Sequence, residues 1–338
     1  MRLDNDVEIK EGNRPYIVAE LNSSHNGKVE RARQTILAAK DCGCDCVKFQ
    51  SWTAESLYSD EYYFENPISK RIVESFSLDE AKLEELIRYC TEIGIDWSST
   101  PYSKSEVDFL VKMDAPFIKI SSMEINNFHF LEYIGKTMKP IVLSTGMSSY
   151  EEIDRAVETI KRTGNNNVCI LHCVSVYPAE ANMVNLKNML VIRERFPDCA
   201  VGYSDHTVGS EAACAAVALG ASLIEKHFTL DNSKMGMDNN MAAEPAEMRE
   251  LVHKCHTVFE SLGCCERELT EAETEQRKKM RRSVVAKVDI KEGTTIDIEM
   301  LEFKRPGTGI APGNVGEIVG RKAKRDIKKG FLIFQRDV

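Results

Sequence analysis

Two histidines, His206 and His227, follow two short apolar runs, Ala200–Tyr203 and Ala221–Ile224. A Gly/Ala/Val-rich segment, long enough for one packed helix, separates the runs. If both runs are parallel strands, the histidines stand at the same end of neighbouring strands. That geometry can hold one divalent transition metal, with water and substrate filling its remaining positions. Two lysines, Lys48 and Lys119, sit inside other apolar runs, where an unpaired charge is costly. Lysine supplies a point charge and hydroxyls supply directional hydrogen bonds, so these lysines and the nearby Ser and Thr residues suit a phosphate or carboxylate. A metal beside an anion site can polarise a carbonyl and orient a water.

The positioning elements follow from the order of the apolar runs. Tyr16–Ala19, Cys46–Phe49, Ile95–Ser98, Phe117–Ile120, Ile141–Leu143 and Val168–Leu171 precede the two runs above, and each is followed by a helix-patterned segment. Eight such units over about 240 residues predict a TIM (β/α)8 barrel in the α/β class. A doubly wound open sheet is the alternative, but the Gly-rich nucleotide fingerprint is missing after the first strand. A barrel of this kind carries its active site at the C-terminal face. There the strand ends offer Glu20 with Asn22 and His25, Lys48 with Gln50, and Thr100. Lys119 with Ser122 and Glu124, Ser144 with Thr145, and His172 with Ser175 and Tyr177 follow. Asp205 with His206, and Glu225 with Lys226 and His227, complete the set. His129, His172, His253 and His256 read as structural. The connection at 51–71 reads as a long acidic, aromatic loop, a lid or binding loop by length, and Tyr62-Tyr63-Phe64 within it as packing.

The barrel domain is expected over 1–265. Residues 266–282 are highly charged with almost no apolar stripe and read as a solvated linker. Residues 283–338 alternate short β-type runs with KEG and KKG turns and predict a small β-rich domain. The net charge of −9 disfavours nucleic acid, because phosphate backbones select basic surfaces. No run approaches the roughly 18 apolar residues that span a membrane, and the polar N-terminus has no signal-like core. Eleven cysteines with no CxxC pair suit reduced thiols, so a cytoplasmic protein is expected.

AELNSSHNG at 19–27, VKFQ at 47–50, PFIKISSMEI at 116–125, LSTGM at 143–147, LHC…YP at 171–178, GYSDHT at 202–207 and EKHFTLD at 225–231 together resemble the sialic acid (nonulosonic acid) synthase family. KRPGTGI at 304–310 resembles the antifreeze-like (SAF, β-clip) domain of the same family. The resemblance covers nearly the whole chain. It implies a transferase that condenses phosphoenolpyruvate with the open-chain aldehyde of an N-acylated hexosamine and releases phosphate. It further implies phosphoenolpyruvate ligands at Lys48, Thr100, Lys119, Ser122 and Ser144, and acidic residues near the reacting carbons at Glu20 and Glu124. Glu124 is the candidate for the water proton. His206 and His227 would hold manganese, with magnesium or cobalt as alternatives. Tyr177 and Asp238 would contact the acceptor sugar, and Arg305 would reach the site of a partner subunit in a domain-swapped homodimer. Three departures fall on the acceptor side: Ser175 in CVSVYP, where N-acetylneuraminate-forming members typically have Asn, MDNN at 237–240, and the LNSSHNG form of the first motif. The acceptor that the resemblance implies is therefore N-acetylmannosamine, or a 2,4-diacetamido-trideoxyhexose leading to legionaminic or pseudaminic acid.

Other readings give different expectations. A phosphoenolpyruvate-condensing barrel with a sugar-phosphate acceptor would not need the terminal domain. A metal-dependent barrel hydrolase would carry His-x-His at the first strand, which is absent here. A non-catalytic carbohydrate-binding protein would not need the lysines and paired histidines.

Overall fold

The computed structural model describes residues 1–338. Eight strands form one closed parallel barrel: β1 (Tyr16–Glu20), β2 (Cys46–Gln50), β3 (Asp96–Thr100), β4 (Ile118–Ile120), β5 (Ile141–Ser144), β6 (Val168–Cys173), β7 (Ala200–Asp205) and β8 (Leu223–His227). The strands are buried on both faces, which is why they read as nearly continuous apolar runs. The β8–β1 ladder closes the barrel and pairs Glu20 with His227; the β1–β2 ladder pairs Glu20 with Lys48.

Alternation along the strands decides what the barrel encloses. One set of alternate residues gives an apolar plug: Tyr16, Val18, Cys46, Phe117, Val142, Cys169, Leu171, Ala200 and Leu223. Two residues further along the same strands, on the same face, stand Glu20, Lys48, Lys119, Ser144, Cys173 and Glu225. The other set, including Ile17, Val47, Ile118, Leu143, Ile170 and Ile224, packs outward against the helices.

Those helices are α1 (Val29–Asp41), α2 (Ala54–Leu57), α3 (Asp60–Glu65), α4 (Pro67–Phe76), α5 (Glu80–Ile93), α6 (Lys104–Lys112), α7 (Phe128–Lys136), α8 (Tyr150–Lys161), α9 (Ala181–Val184), α10 (Asn188–Arg195), α11 (Glu211–Ala218) and α12 (Pro245–Leu262). Local chemistry sets their ends. Asp79 caps α5 by accepting from the Lys82 N–H, and Gly94 closes that helix in the left-handed region at φ 71°. Ser149 and Glu152 form a capping box on α8.

The structure corrects the reading of 51–71 as a loop: it holds α2, α3 and the first half of α4. Thr53 and Ser59 cap the first two, and Pro67 begins the third. The pieces are too short for a helical repeat to show in the sequence. They fold around Trp52, Ala54, Tyr63, Val73 and Phe76. The aromatic run is not uniformly packed: Tyr63 is buried, whereas Phe64 is 88% exposed.

The chain divides into two compact units, Met1–Gly263 and Cys264–Val338. In the second, Glu271–Met280 is a helix, α13, where a plain linker was expected. None of its residues is buried. A Thr270–Glu273 capping box, acidic residues in its first turn and basic ones in its last stabilise it instead. Beyond it, β9 (Ser283–Ala286) pairs antiparallel with β10 (Leu301–Lys304) over a core that includes Val284, Ile290, Ile296, Ile318 and Ile333. No helix of the protein is long and apolar enough to cross a membrane.

Candidate active site

A cavity of about 360 Å³ opens at the C-terminal ends of the strands. Its floor is charged. Lys48 and Lys119 are each 3% exposed, and Glu20 and Glu225 are similarly buried. Lys48 Nζ is ion-paired with Glu20, lies 3.7 Å from Glu225 and donates to Thr100 Oγ1 at 3.0 Å. Lys119 Nζ donates to Ser144 Oγ at 2.7 Å and lies 3.8 Å from the other Glu225 oxygen. Glu225 thus sits between two ammonium groups, and its Oε1 also accepts from Ser204 at 3.0 Å.

These contacts push the four groups apart in proton affinity. Burial raises the Glu20 carboxyl above its usual range, and the nearby Glu225 charge adds to this against the opposing pull of Lys48. Burial acts on Glu225 in the same direction, but Lys119 and Lys48 outweigh it and hold that carboxylate low. Burial pulls both lysines down. In Lys48 the two carboxylates more than compensate, whereas Lys119 stays below an ordinary lysine. In the free cavity Glu20 is therefore the carboxyl best able to keep a proton, and Glu225 the one that stays ionised.

Next to Lys119, Ser122 Oγ accepts from the Gly146 N–H at 2.9 Å and lies 3.1 Å from Cys173 Sγ. A Cβ at Gly146 would fall 2.2 Å from Ser175 Oγ and 2.9 Å from Ser122 Oγ. The bare glycine is what lets this backbone approach the cavity wall.

Across the floor, the rings of His206 and His227 lie 5.4 Å apart, with Tyr177 tilted over His206 at 4.3 Å. His206 Nδ1 donates to the Val174 carbonyl at 2.7 Å, which puts the ring's lone pair on Nε2, 3.4 Å from Ser204 Oγ. Burial holds both imidazoles neutral, and in His227 the neighbouring His206 and lysines add to it. Neutral rings with one nitrogen oriented by a backbone carbonyl are the form that binds a metal. No third histidine, cysteine or carboxylate joins them to make a three-ligand cluster.

The mouth is different in kind. Trp52, Leu57, Tyr58, Met123, Met147 and Met237 line it with Asn22 and Asp238. Asn22 Nδ2 donates to the Met237 carbonyl at 2.6 Å and to Asp238 Oδ2 at 3.2 Å, and the Met237 N–H donates to Ser23 Oγ at 2.8 Å. Asn22 Oδ1 is buried with no partner. Burial raises the Asp238 carboxyl, against the hydrogen bond from Asn22.

Of the residues expected at the site, the structure brings Glu20, Lys48, Lys119, Ser122, Ser144, Ser175, Tyr177, His206, His227 and Asp238 to one cavity. Thr100 stands behind Lys48 and holds it without lining the cavity. Glu124 does not line it either. It ends a 3-10 turn, and its Oε2 accepts from Asn127 Nδ2 at 2.8 Å at the start of α7. Arg305 belongs to the second unit. The sequence places Asn22, Gln50 and Glu225 at strand ends without assigning them a role, and it does not mark Ser204, Tyr102 and Trp52. Strand parity carries the missing signal: Ser204 and Glu225 precede His206 and His227 by two residues, and Gln50 follows Lys48 by two.

The NeuB family matches residues 35–267 of this chain, and the SAF domain matches residues 281–338. The chain is 34% identical to the N,N'-diacetyllegionaminic acid synthase of Legionella pneumophila, covering 94% of this chain and 93% of that protein. It is 36% identical to the N-acetylneuraminate-9-phosphate synthase of Homo sapiens, covering 95% and 91%. The crystal structure of the N-acetylneuraminic acid synthetase of Leptospira borgpetersenii superposes with a TM-score of 0.75 at 30% identity, over 82% of this chain and 94% of that one. A barrel with a charged floor and a paired-histidine wall, matched across nearly its full length by sialic- and legionaminic-acid synthases, belongs to the NeuB family and ends in a SAF domain.

Proposed function

We propose that the protein joins phosphoenolpyruvate to the open-chain aldehyde of an N-acylated hexosamine. C3 of phosphoenolpyruvate bonds to the aldehyde carbon, water adds its oxygen at C2, and phosphate leaves from C2 to give a 2-keto nonulosonic acid. The observation that carries this reading is that one cavity holds Lys48 and Lys119 on one side and His206 and His227 on the other. The lysines, Ser122, Ser144 and the Gly146 N–H form a cradle for phosphate and carboxylate oxygens. Glu225 keeps both lysines charged until the anion arrives. Glu20, the carboxyl best able to keep a proton, supplies it to the aldehyde oxygen, because Glu124 turns away toward Asn127.

The donor set on the opposite wall, two neutral imidazoles with water and substrate oxygens, fits manganese(II) or cobalt(II) better than magnesium, which prefers oxygen ligands throughout. Such an ion would supply Lewis acidity toward the aldehyde oxygen. His206→Ala should lose manganese(II) in equilibrium dialysis while the protein stays folded.

The acceptor reading rests on charge. Lys48 and Lys119 are the only cations lining the barrel cavity, and both are engaged by carboxylates at its floor. The mouth offers methionines, aromatics and Asp238. An uncharged deoxy sugar with two acetamido groups, leading to legionaminic or pseudaminic acid, suits it better than a sugar phosphate; N-acetylmannosamine is the next candidate. Arg305 of a partner subunit would close the site in a homodimer, so Arg305→Ala should raise the acceptor KM. The reading as a whole is tested by phosphate release from phosphoenolpyruvate across a panel of N-acyl hexosamines, with each product identified by mass. Release only with such an aldehyde is expected, and no release with any member refutes it.

A further inference from the structure

We infer that Asp205 and Lys226, on the outer faces of β7 and β8, position His206 and His227 as one unit. The inference rests on the proposed role of the histidines as metal donors. The β7–β8 ladder sets Ser204 opposite Glu225 and Asp205 opposite Lys226. Alternation sends Ser204 and Glu225 to the cavity and turns Asp205 and Lys226 away from it. Both outer residues are fully buried, at 0% and 1% exposure. A fully buried ion pair outside the cavity takes no part in the binding or proton steps above, and its desolvation is costly. What it does is visible in its contacts.

Lys226 Nζ donates to Asp205 Oδ2 at 2.8 Å and also to the Thr207 carbonyl. Asp205 Oδ1 accepts from the Thr207 N–H at 2.9 Å, from Thr207 Oγ1 at 2.8 Å and from Tyr203 Oη at 3.1 Å. The residues on both sides of His206 are therefore fixed to the strand that carries His227. The histidines are held from other directions as well: the His206 carbonyl accepts from the Ala179 N–H and the His227 carbonyl from the Ala243 N–H. On the outer face Lys226 is the side chain that ties the two strand ends together, as Ser204 and Glu225 do on the cavity face. The spacing of the two donors across the open side of the site then depends on this pair. Groups that orient metal ligands typically change affinity about 10- to 100-fold when removed.

Lys226→Met alone would strand the Asp205 carboxylate, so the decisive variant is Asp205→Asn with Lys226→Met. It removes both charges, keeps an acceptor for Thr207 and Tyr203, and has a cavity of about 40 Å³ beside residue 226 to relax into. Manganese(II) binding is read by the loss of the free-ion EPR signal on titration, alongside Tm without metal and phosphoenolpyruvate affinity without metal. The expected result is a folded double variant with unchanged phosphoenolpyruvate affinity and manganese affinity about 10- to 100-fold weaker. A purely structural pair would lower Tm and leave manganese affinity alone; a double variant that binds manganese(II) as tightly as the wild type overturns the inference. A wild type that binds none overturns the metal reading and this inference with it.

Discussion

The floor of the cavity and its mouth come from different parts of the chain. Glu20, Lys48, Lys119, Ser144 and Glu225 are strand residues, and ladder pairing and alternation fix where each one points. Nearly every polar atom on the floor has a partner within the protein. The mouth is built by connections after β1, β2, β4, β5 and β8, and two of its three methionines are exposed: Met123 by 53% and Met147 by 70%. Asn22, Met147 and Asp238 all have positive φ without being glycine. A rigid floor suits the anion proposed for it. An adaptable apolar rim, with an unpartnered Asn22 oxygen, suits the variable partner.

The comparison is sharpest at Lys119. Lys119→Ala should weaken phosphoenolpyruvate binding by about 3 kcal/mol, more than 100-fold by calorimetry, since it removes a buried charge from the anion cradle. Burial disfavours this ammonium, but its removal leaves Glu225 with Lys48 as its remaining cation, so Tm should fall only modestly. A large loss of stability with intact affinity would mean that the floor is scaffold and the anion binds elsewhere.

His25 lies on the segment that joins β1 to the mouth. It is 2% exposed, its Nδ1 accepts from the Gly27 N–H at 3.1 Å, and burial pulls its pKa down to about 4. The unfolded chain takes up this proton below about pH 6.5. The native state refuses it until about pH 4. Between those values the unfolded state binds more protons, so stability falls as pH falls, by about 3 kcal/mol in total. His25→Gln should remove that share of the decline in urea unfolding between pH 7 and pH 4. An unchanged slope would place the acid sensitivity elsewhere.

The same division decides how much was legible in the sequence. The barrel, the lysines and the histidine pair could be read because strand burial leaves long apolar runs, and a charge inside one is conspicuous. Glu225 stood in such a run, in LIEKH, and parity with His227 would have assigned it to the cavity. The hydroxyl of Ser204 is less conspicuous than a charge, and only its parity with His206 assigns it to the cavity. The position of Glu124 depends on a 3-10 turn and on the Asn127 side chain, neither of which has a periodicity. The three short helices after β2 were hidden for the same reason. Residues 237–240 are marked as acceptor-facing by resemblance, but their attachment to Asn22 and Ser23 joins segments 215 and 214 residues apart, which no local pattern encodes.

That attachment yields the next test. Two of the three motif departures, LNSSHNG and MDNN, touch each other through Asn22 and Asp238. Asn22→Ala frees Asp238 and removes a hydrogen bond to a carboxylate, worth about 1.5 kcal/mol. The acceptor KM should rise roughly 10-fold with the phosphoenolpyruvate KM unchanged. A rise in both would show that the mouth and the floor are not separable.

Met147 gives the smallest effect and the finest division between rim and scaffold. Its side chain is mostly in solvent, and its backbone sits at φ 61°, where a side chain is strained by about 1 kcal/mol. Met147→Gly relieves that strain but adds freedom to the unfolded chain at a similar cost, so stability should change by less than about 1 kcal/mol. What the variant loses is a flexible apolar surface facing the acceptor. Partial burial of one methionine against an acetamido methyl or a deoxy carbon amounts to about 0.7 kcal/mol, so the acceptor KM should rise about 3-fold. The rise should be larger for a diacetamido-trideoxyhexose than for N-acetylmannosamine, whose extra hydroxyl groups gain little from an apolar wall. Equal rises for both sugars would mean that Met147 excludes water from the cavity without reading the acceptor, and selectivity would then have to come from Asp238 and Ser175.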